Sequence, residues 1–234
     1  MANSNDSKTI AARAALPYVK EGMLVGLGSG STASEFVRLL GTEKKLRESI
    51  TAVCTSSETQ TLAQLLGIKL VAVDAVTRVD LTVDGADEIT PQLQMIKGGG
   101  GALFRERIVA RLSADHITIV HQAKLVEKLG GFPLPVEIVP FSHGTTTRWI
   151  LDALKDGGIA VEHHTLRAAK DGGGRFVTDN GNVIVDMKLA PIADPARAAA
   201  LLDGIDGVVT HGLFLGLTKR VLVAQDDGSV REIG

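Results

Sequence analysis

The stretch Met23-Leu-Val-Gly-Leu-Gly-Ser-Gly-Ser-Thr-Ala33 connects an apolar run to a helical pattern through a series of glycines. Met23 to Leu27 is short and apolar, which predicts a buried strand, and the periodicity of Thr32 to Leu40 predicts a helix. Glycines let the backbone turn its N–H groups toward one point, and the helix N-terminus adds a positive partial charge. This N-terminal glycine loop (Gly26–Ala33) therefore predicts an anion-binding site.

Three interpretations of the N-terminal glycine loop remain open at this stage. The first is a phosphate or carboxylate site, to which Ser29, Ser31 and Thr32 add hydroxyl groups. The second is a dinucleotide fingerprint, because Gly28-x-Gly30-x-x-Ala33 fits its loose form. That fingerprint requires an acidic residue at the end of the second strand, and Cys54-Thr-Ser-Ser57 is neutral there. The third is a glycine turn with a structural role only.

Strand and helix patterns alternate along the rest of the N-terminal part. Further strands are predicted at Ile50–Cys54, Lys69–Val73, Val79–Val83 and Ile117–Val120. Helices are predicted at Ser7–Lys20, from Ser57 through Leu66, and at Ala102–Ser113. Strands that alternate with helices predict an α/β fold, a mostly parallel sheet covered by helices on both faces.

The pattern changes after Phe132-Pro-Leu-Pro135. Strands are predicted at Val136–Pro140, Ile159–Leu166, Phe176–Val177, Val183–Leu189 and Val208–Phe214, with helices at Thr145–Leu154 and from Pro195 through Leu202. Apart from the two-residue strand Phe176–Val177, the order is β-α-β-β-α-β, which is that of a small ferredoxin-like α+β domain. We therefore predict a small domain of residues 134–209, inserted near the C-terminus of a larger domain of residues 1–133 and 210–234. The apolar segments Val183–Val185 and Val208–Val209 are expected to form a free surface for a second copy of the chain.

An acidic cluster, Asp84-Gly-Ala-Asp-Glu88, follows the predicted strand that ends at Val83. The carboxyl ends of strands are where open α/β sheets bind ligands, and crowded carboxylates repel one another unless a cation is near. The alternative is a solvated acidic turn, since carboxylates are common in turns.

A four-glycine loop (Gly98–Gly101) follows Lys97 and precedes a predicted helix. Such a run permits very close approach of the backbone to a ligand. Glu106 lies one turn into that helix, where it can serve as a general base. The alternative is a flexible loop with Glu106 in a surface ion pair. Lys124, just after the fifth predicted strand, is a further candidate for the site.

Composition excludes several classes of function. The net charge is −2, which argues against a large nucleic-acid-binding face. No apolar run approaches the ~20 residues of a membrane span. Ala2 to Lys20 contains no apolar leader core, so we expect a cytoplasmic protein. The single cysteine, Cys54, is expected to be buried, and the six histidines have no metal-site spacing, so no histidine metal site is expected.

Taken together and in this order, the clusters resemble the ribose-5-phosphate isomerase type A family. The matching stretches are Gly28-Ser-Gly-Ser-Thr32, Asp84-Gly-Ala-Asp-Glu-Ile89, Lys97-Gly-Gly-Gly100 through Glu106, Lys124-Leu-Val, Leu129-Gly-x-Phe-Pro-Leu-Pro-Val-Glu137 and Gly207-Val-Val-Thr-x-Gly-Leu-Phe214. They span nearly the whole chain. The resemblance implies a Rossmann-like domain with a small ferredoxin-like domain. It also implies an interconversion of D-ribose 5-phosphate and D-ribulose 5-phosphate in the pentose phosphate pathway, without metal or organic cofactor, by a homodimer or homotetramer.

The resemblance also implies roles for individual residues. Glu106 would move the proton between C2 and C1, with Asp84, Asp87 and Lys97 around the reacting oxygens. The substrate would be bound by Ser29, Gly30, Ser31, Thr32, Asp84, Gly85, Ala86, Asp87, Lys97, Gly98, Gly99, Gly100 and Lys124. The chain departs from the family pattern twice: His121 stands where the family usually has Asp, and Gly101 where it often has Ala.

Other functions compatible with such a fold are a sugar-phosphate-binding module without catalysis, a sugar-phosphate deaminase and a CoA-transferase. The presence of both Glu106 and Lys97 favours an enzyme over a binding module. The pairing of Asp84 and Asp87 with the four-glycine loop argues against the deaminase and the CoA-transferase.

Overall fold

The computed structural model describes residues 4–170 and 172–234, so the first two residues of the segment Ala2–Lys20 lie outside the described residues. The chain divides into two units. The first unit comprises residues 1–86, 105–125 and 216–234, and the second comprises residues 87–104 and 126–215. The second unit contains the whole span 134–209 together with flanking residues, and the predicted domain boundaries at 133/134 and 209/210 remain a prediction.

The helices and strands are numbered in chain order. The helices are α1 Ser4–Ala15, α2 Ser31–Thr42, α3 Lys44–Ser49, α4 Ser57–Leu65, α5 Leu103–Leu112, α6 His143–Asp156 and α7 Pro195–Asp203. The strands are β1 Leu24–Leu27, β2 Thr51–Cys54, β3 Val79–Asp84, β4 Glu88–Ile89, β5 Met95–Ile96, β6 Ser113–His121, β7 Leu134–Ile138, β8 Val161–Leu166, β9 Val183–Leu189, β10 Val208–His211, β11 Leu213–Phe214, β12 Arg220–Ala224 and β13 Val230–Ile233.

Within its described residues, the first unit contains a six-stranded sheet in the order β13-β12-β6-β3-β1-β2. All neighbouring strands are parallel except β12 and β13, which form an antiparallel hairpin. This confirms the α/β, Rossmann-like prediction. The strand order reverses at β1, which lies between β2 and β3. The carboxyl ends of β1 and β3 are therefore neighbours at the point where open sheets bind ligands.

Helices pack on both faces of this sheet, as the alternation predicts. On one face, Ala11 of α1 and Phe36 of α2 are fully buried against Val25 of β1. On the other face, Val109 of α5 packs with Val53 and Val79. Each of these buried side chains stabilises the fold by about 1.5–3 kcal/mol, apart from the smaller alanine.

The second unit contains an antiparallel sheet in the order β10-β7-β9-β8. With α6 after β7 and α7 after β9, this is the strand order of a ferredoxin-like β-α-β-β-α-β unit, as predicted. Ile150 of α6 and Leu202 of α7 are buried against β7 residues such as Val136. A small sheet of β11, β5 and β4 completes the described part of this unit.

Several predicted strands differ in the structure. Lys69–Val73 contributes a single bridge, from Leu70 to Ala52, because it lies at the sheet edge and turns away at Val73. Phe176–Val177 is not a strand. Val208–Phe214 is divided at Gly212 into β10 and β11, which belong to different sheets.

Two other predictions were wrong in extent or exposure. The helix predicted to reach Lys20 ends at Ala15, where Pro17 directs the chain into a 3-10 turn, because proline cannot donate to the helix ladder. The segment Val183–Val185 is buried and is not a free surface, while Val208 and Val209 are half-buried. No helix in the described ranges is long and apolar enough to cross a membrane.

Cys54, the last residue of β2, is half-buried and not fully buried as expected. Its thiol should still react slowly with thiol reagents in the folded protein. Burial raises the pKa of its thiol to about 12, so only about 10⁻⁴ of the group is thiolate at pH 8. We expect alkylation by iodoacetamide at pH 8 to be far slower in the native protein than in urea. Equal rates in the two states would contradict this burial.

Candidate active site

The N-terminal glycine loop leaves β1 and opens α2. Gly30 has a φ of 82°, a left-handed conformation that favours glycine. No described side chain caps the start of α2, and Gly30 and Ser31 are exposed. The start of the loop is held within the unit, because the Gly28 amide donates to Val83 O at 3.0 Å and Thr59 Oγ1 donates to Gly28 O at 2.9 Å. The helix N-terminus is thus presented on a fixed loop, the arrangement that binds anions.

Asp84, at the end of β3, holds the same loop through its side chain. Its carboxylate is buried, and Oδ1 accepts hydrogen bonds from the amides of Ser29 at 3.1 Å and Gly85 at 2.7 Å. A Cβ added at Gly28 would lie 2.3 Å from Asp84 Oδ1. The loop can therefore approach this carboxylate only with glycine at position 28.

Glu106 lies in the first turn of α5 and is only 5% exposed. Its Oε1 accepts a hydrogen bond from Ser29 Oγ at 2.5 Å. Ser29 therefore binds two carboxylates, Asp84 through its amide and Glu106 through its hydroxyl. Sequence reasoning assigned Ser29 to substrate binding and missed its contact with Glu106, which is 77 residues away in the chain.

Lys124 belongs to a 3-10 turn, Gln122–Lys124, that follows β6. The turn begins at His121, whose Nδ1 accepts a hydrogen bond from the Ala123 amide at 3.3 Å and whose Nε2 lies 2.9 Å from Asp226 Oδ1. With Nδ1 as an acceptor, the ring proton belongs on Nε2, facing the Asp226 carboxylate. The imidazole thus supplies the capping acceptor of this turn.

In the second unit, Lys97 follows β5 and is only 3% exposed. Its amide donates to Gly212 O at 2.9 Å, and its Nζ lies 5.6 Å from the centre of the Phe214 ring. Asp87 Oδ2 accepts a hydrogen bond from the Gly99 amide at 2.7 Å. Asp87 therefore fixes the four-glycine loop directly after Lys97.

Glu88 binds a different segment of the chain from the other carboxylates of the acidic cluster. It is buried and accepts hydrogen bonds from the amides of Gly130, at 2.8 Å, and Phe132, at 2.6 Å. Lys188 Nζ donates to the carbonyls of Gly130 and Gly131 in the same turn. Glu88 thus organises residues 130–132, so the cluster is not a solvated acidic turn.

The structure brings the predicted residues together in two sets, one in each unit. In the first unit, Ser29 joins Asp84 and Glu106, Gly85 bonds to Asp84, and Gly30, Ser31 and Thr32 continue the same loop. Lys124 belongs to this unit, and Ala86 is its last residue before the chain enters the second unit. In the second unit, Asp87 bonds to Gly99, which lies in one continuous stretch with Lys97, Gly98 and Gly100. Among the described residues, no group of three or more His, Cys, Asp or Glu side chains is placed to hold a metal ion.

Comparison with known proteins identifies the family to which these motifs belong. The sequence model of the family Ribose 5-phosphate isomerase A (phosphoriboisomerase A) matches residues 51–228. Ribose-5-phosphate isomerase A of Rhodopseudomonas palustris strain HaA2 is 49% identical over 226 residues, which cover 97% of each chain. The protein of the same name from Caulobacter sp. strain K31 is 47% identical over 231 residues, 98% of each chain.

The chain belongs to the ribose 5-phosphate isomerase A family.

Solved structures agree with this membership. A D-ribose-5-phosphate isomerase in complex with phospho-erythronic acid superposes with a TM-score of 0.90 at 34% identity, covering 99% of both chains. The ribose 5-phosphate isomerase A of Methanocaldococcus jannaschii gives a TM-score of 0.87 at 36% identity, covering 98% of this chain and 99% of that one.

The predicted function is confirmed at the level of the family: the chain is an isomerase that interconverts ribose 5-phosphate and ribulose 5-phosphate. The deaminase, CoA-transferase and non-catalytic interpretations are excluded.

Gly28→Ala should destabilise the fold, because its Cβ would collide with Asp84 Oδ1. Overpacking of this kind costs about 1–3 kcal/mol of the free energy of unfolding, which urea denaturation would measure. Gly144→Ala in α6 is a matched control, since its Cβ would meet nothing within 4 Å and alanine favours the helix. Equal stability of the two variants would contradict the close approach of Gly28 to Asp84.

Proposed function

We propose that the interconversion proceeds by metal-free proton transfer through an enediolate, with Glu106 as the base. The observation that carries this proposal is the buried Glu106 carboxylate, oriented by the Ser29 hydroxyl at 2.5 Å. In the open-chain sugar, Glu106 takes the proton from C2. The electron pair of the broken C2–H bond forms the C1=C2 double bond of the enediolate, and the carbonyl oxygen on C1 gains the negative charge. Return of the proton to C1, with movement of a proton between the two oxygens, forms ribulose 5-phosphate.

Lys97 is assigned to the negative charge that develops on the reacting oxygens. Its ammonium is on a side chain that is only 3% exposed, and a fixed cation shielded from water stabilises such charge more strongly than an exposed one. Asp84 and Asp87 are assigned to the neighbourhood of the same oxygens. Asp84 also holds the N-terminal glycine loop, through the amides of Ser29 and Gly85. Asp87 likewise holds the four-glycine loop, through the Gly99 amide. No metal is required for this chemistry.

The substrate phosphate is assigned to the start of α2, with the hydroxyls of Ser31 and Thr32 and the ammonium of Lys124. A helix N-terminus on a glycine-rich turn binds phosphate through backbone amides, and a lysine adds a charge-assisted hydrogen bond. Backbone contacts from Gly30, Gly85, Ala86, Gly98, Gly99 and Gly100 complete the proposed binding set. Phosphate binding away from the reacting carbons contributes energy for their orientation.

Glu106→Gln preserves shape and removes the base, so we expect kcat to fall by about 10²–10⁴-fold with little change in the binding of ribose 5-phosphate. The assay measures ribulose 5-phosphate formation in excess EDTA, where the wild-type enzyme should keep its activity. Glu43→Gln, at an exposed glutamate between α2 and α3, is the matched control. Near-normal turnover of Glu106→Gln would refute the assignment of the base, and loss of wild-type activity in EDTA would refute the metal-free route.

We further propose that the enzyme acts in the cytoplasm as a homodimer or homotetramer, without nucleic-acid or membrane partners. The exposed side chains of Phe141 and Trp149, at 87% and 49% exposure, are candidates for such a contact, because large exposed apolar groups often mark interfaces. Sedimentation at micromolar concentration should give two or four times the chain mass of 24.6 kDa. A single species at the chain mass would refute the oligomer.

A further inference from the structure

The segment that follows β8 places two side chains against the four-glycine loop. Arg167 Nη1 donates to Gly98 O at 2.9 Å and to Gly99 O at 3.3 Å. The ring of Phe176 lies so near Gly101 that an added Cβ would be 2.4 Å from the ring carbon Cζ. Arg167 and Phe176 therefore contact the four-glycine loop at its two ends.

Arg167 is itself held in place by Asp186 of β9. Its Nε donates to Asp186 Oδ2 at 2.8 Å and its Nη2 to Oδ1 at 2.5 Å. The two side chains are 14% and 21% exposed. Because a guanidinium is planar, two bonds to one carboxylate fix the direction of the remaining Nη1 donors. Arg167 thus forms a rigid connection between the central strand β9 and the carbonyls of Gly98 and Gly99.

Phe176 reinforces the same arrangement. Its amide donates to Arg167 O at 2.8 Å, and its ring centre lies 5.8 Å from the Arg167 guanidinium carbon, within the range of a cation–π contact. Gly101 has a φ of +88°. An alanine at position 101 would therefore adopt a strained backbone conformation, and the Phe176 ring would have to move.

Asp87 holds Gly99 from the side opposite Arg167. The Gly99 amide donates to Asp87 Oδ2, while the Gly99 carbonyl faces Arg167. Four consecutive glycines have an unusually large conformational entropy when they are free. Contacts on both sides of Gly99 set the orientation of its peptide groups before any ligand arrives.

We propose that Arg167, oriented by Asp186, is a positioning residue for the isomerase reaction. By holding the carbonyls of Gly98 and Gly99, it fixes the direction of the loop amides and of the adjacent Lys97. The inference rests on the proposed function, in which Lys97 and Gly98–Gly100 receive the substrate. Arg167 itself acts through the loop and is not assigned a contact with the sugar.

The test compares Arg167→Met, Arg167→Lys and the control Lys170→Met, which removes one positive charge from an exposed position of the same segment. We expect Arg167→Met to lower kcat about 10- to 100-fold, with a smaller change in KM, while Lys170→Met leaves both unchanged. Arg167→Lys keeps the charge but not the planar fork, so it should also lose activity. Asp186→Asn should add little to the loss in Arg167→Met, because the two side chains act as one unit.

Hydrogen exchange of the peptide that spans residues 97–104 gives a readout independent of catalysis. We expect faster exchange in Arg167→Met and Arg167→Lys than in the wild type and in Lys170→Met. Wild-type exchange and wild-type kcat in either Arg167 variant would overturn the inference. If Glu106→Gln kept its activity instead, the proposed base would fail, while the exchange result would still decide the role of Arg167. Should Arg167→Met fail to fold, Arg167→Lys carries the same test.

Discussion

The candidate site residues of the first unit depend on one contact, the hydrogen bond from the Ser29 amide to the Asp84 carboxylate. It forms because β1 and β3 are parallel neighbours, so the residues after their carboxyl ends meet at one edge of the sheet. The same bond leaves the Ser29 hydroxyl free to orient Glu106. One buried carboxylate thus sets both the loop and the direction of the proposed base. That order is established during folding, so substrate binding does not have to supply it.

The features that could be predicted from the sequence are those encoded locally. The strand, glycine turn and helix around Gly28, and the N-cap Asp194 before Pro195, depend on turn chemistry and periodicity within a few residues. The ferredoxin-like strand order also follows from the sequence of elements. The neutral residues that end β2 favour phosphate over a dinucleotide. The family motifs add roles for individual residues, and those roles remain predictions.

The features that could not be predicted depend on contacts between distant parts of the chain. Ser29 meets Glu106 and Arg167 meets Gly98 across 77 and 69 residues, and neither pair has a local pattern. Strands of two residues, such as β4, are too short to have a periodicity. The error at Lys69–Val73 has a different cause. Its apolar run after Lys69 fits the pattern of a strand, but the segment lies at the sheet edge and forms only one bridge, from Leu70 to Ala52.

Three carboxylates within the five residues of the acidic cluster each hold a different loop. Asp84 holds the amide of Ser29, Asp87 that of Gly99, and Glu88 those of Gly130 and Phe132. A point substitution at one of these carboxylates would release one loop. A single-residue insertion or deletion between them would change the direction of every later side chain relative to Asp84 and release several loops at once. The length of this short stretch therefore matters more for the loops that it holds than the identity of any one residue in it.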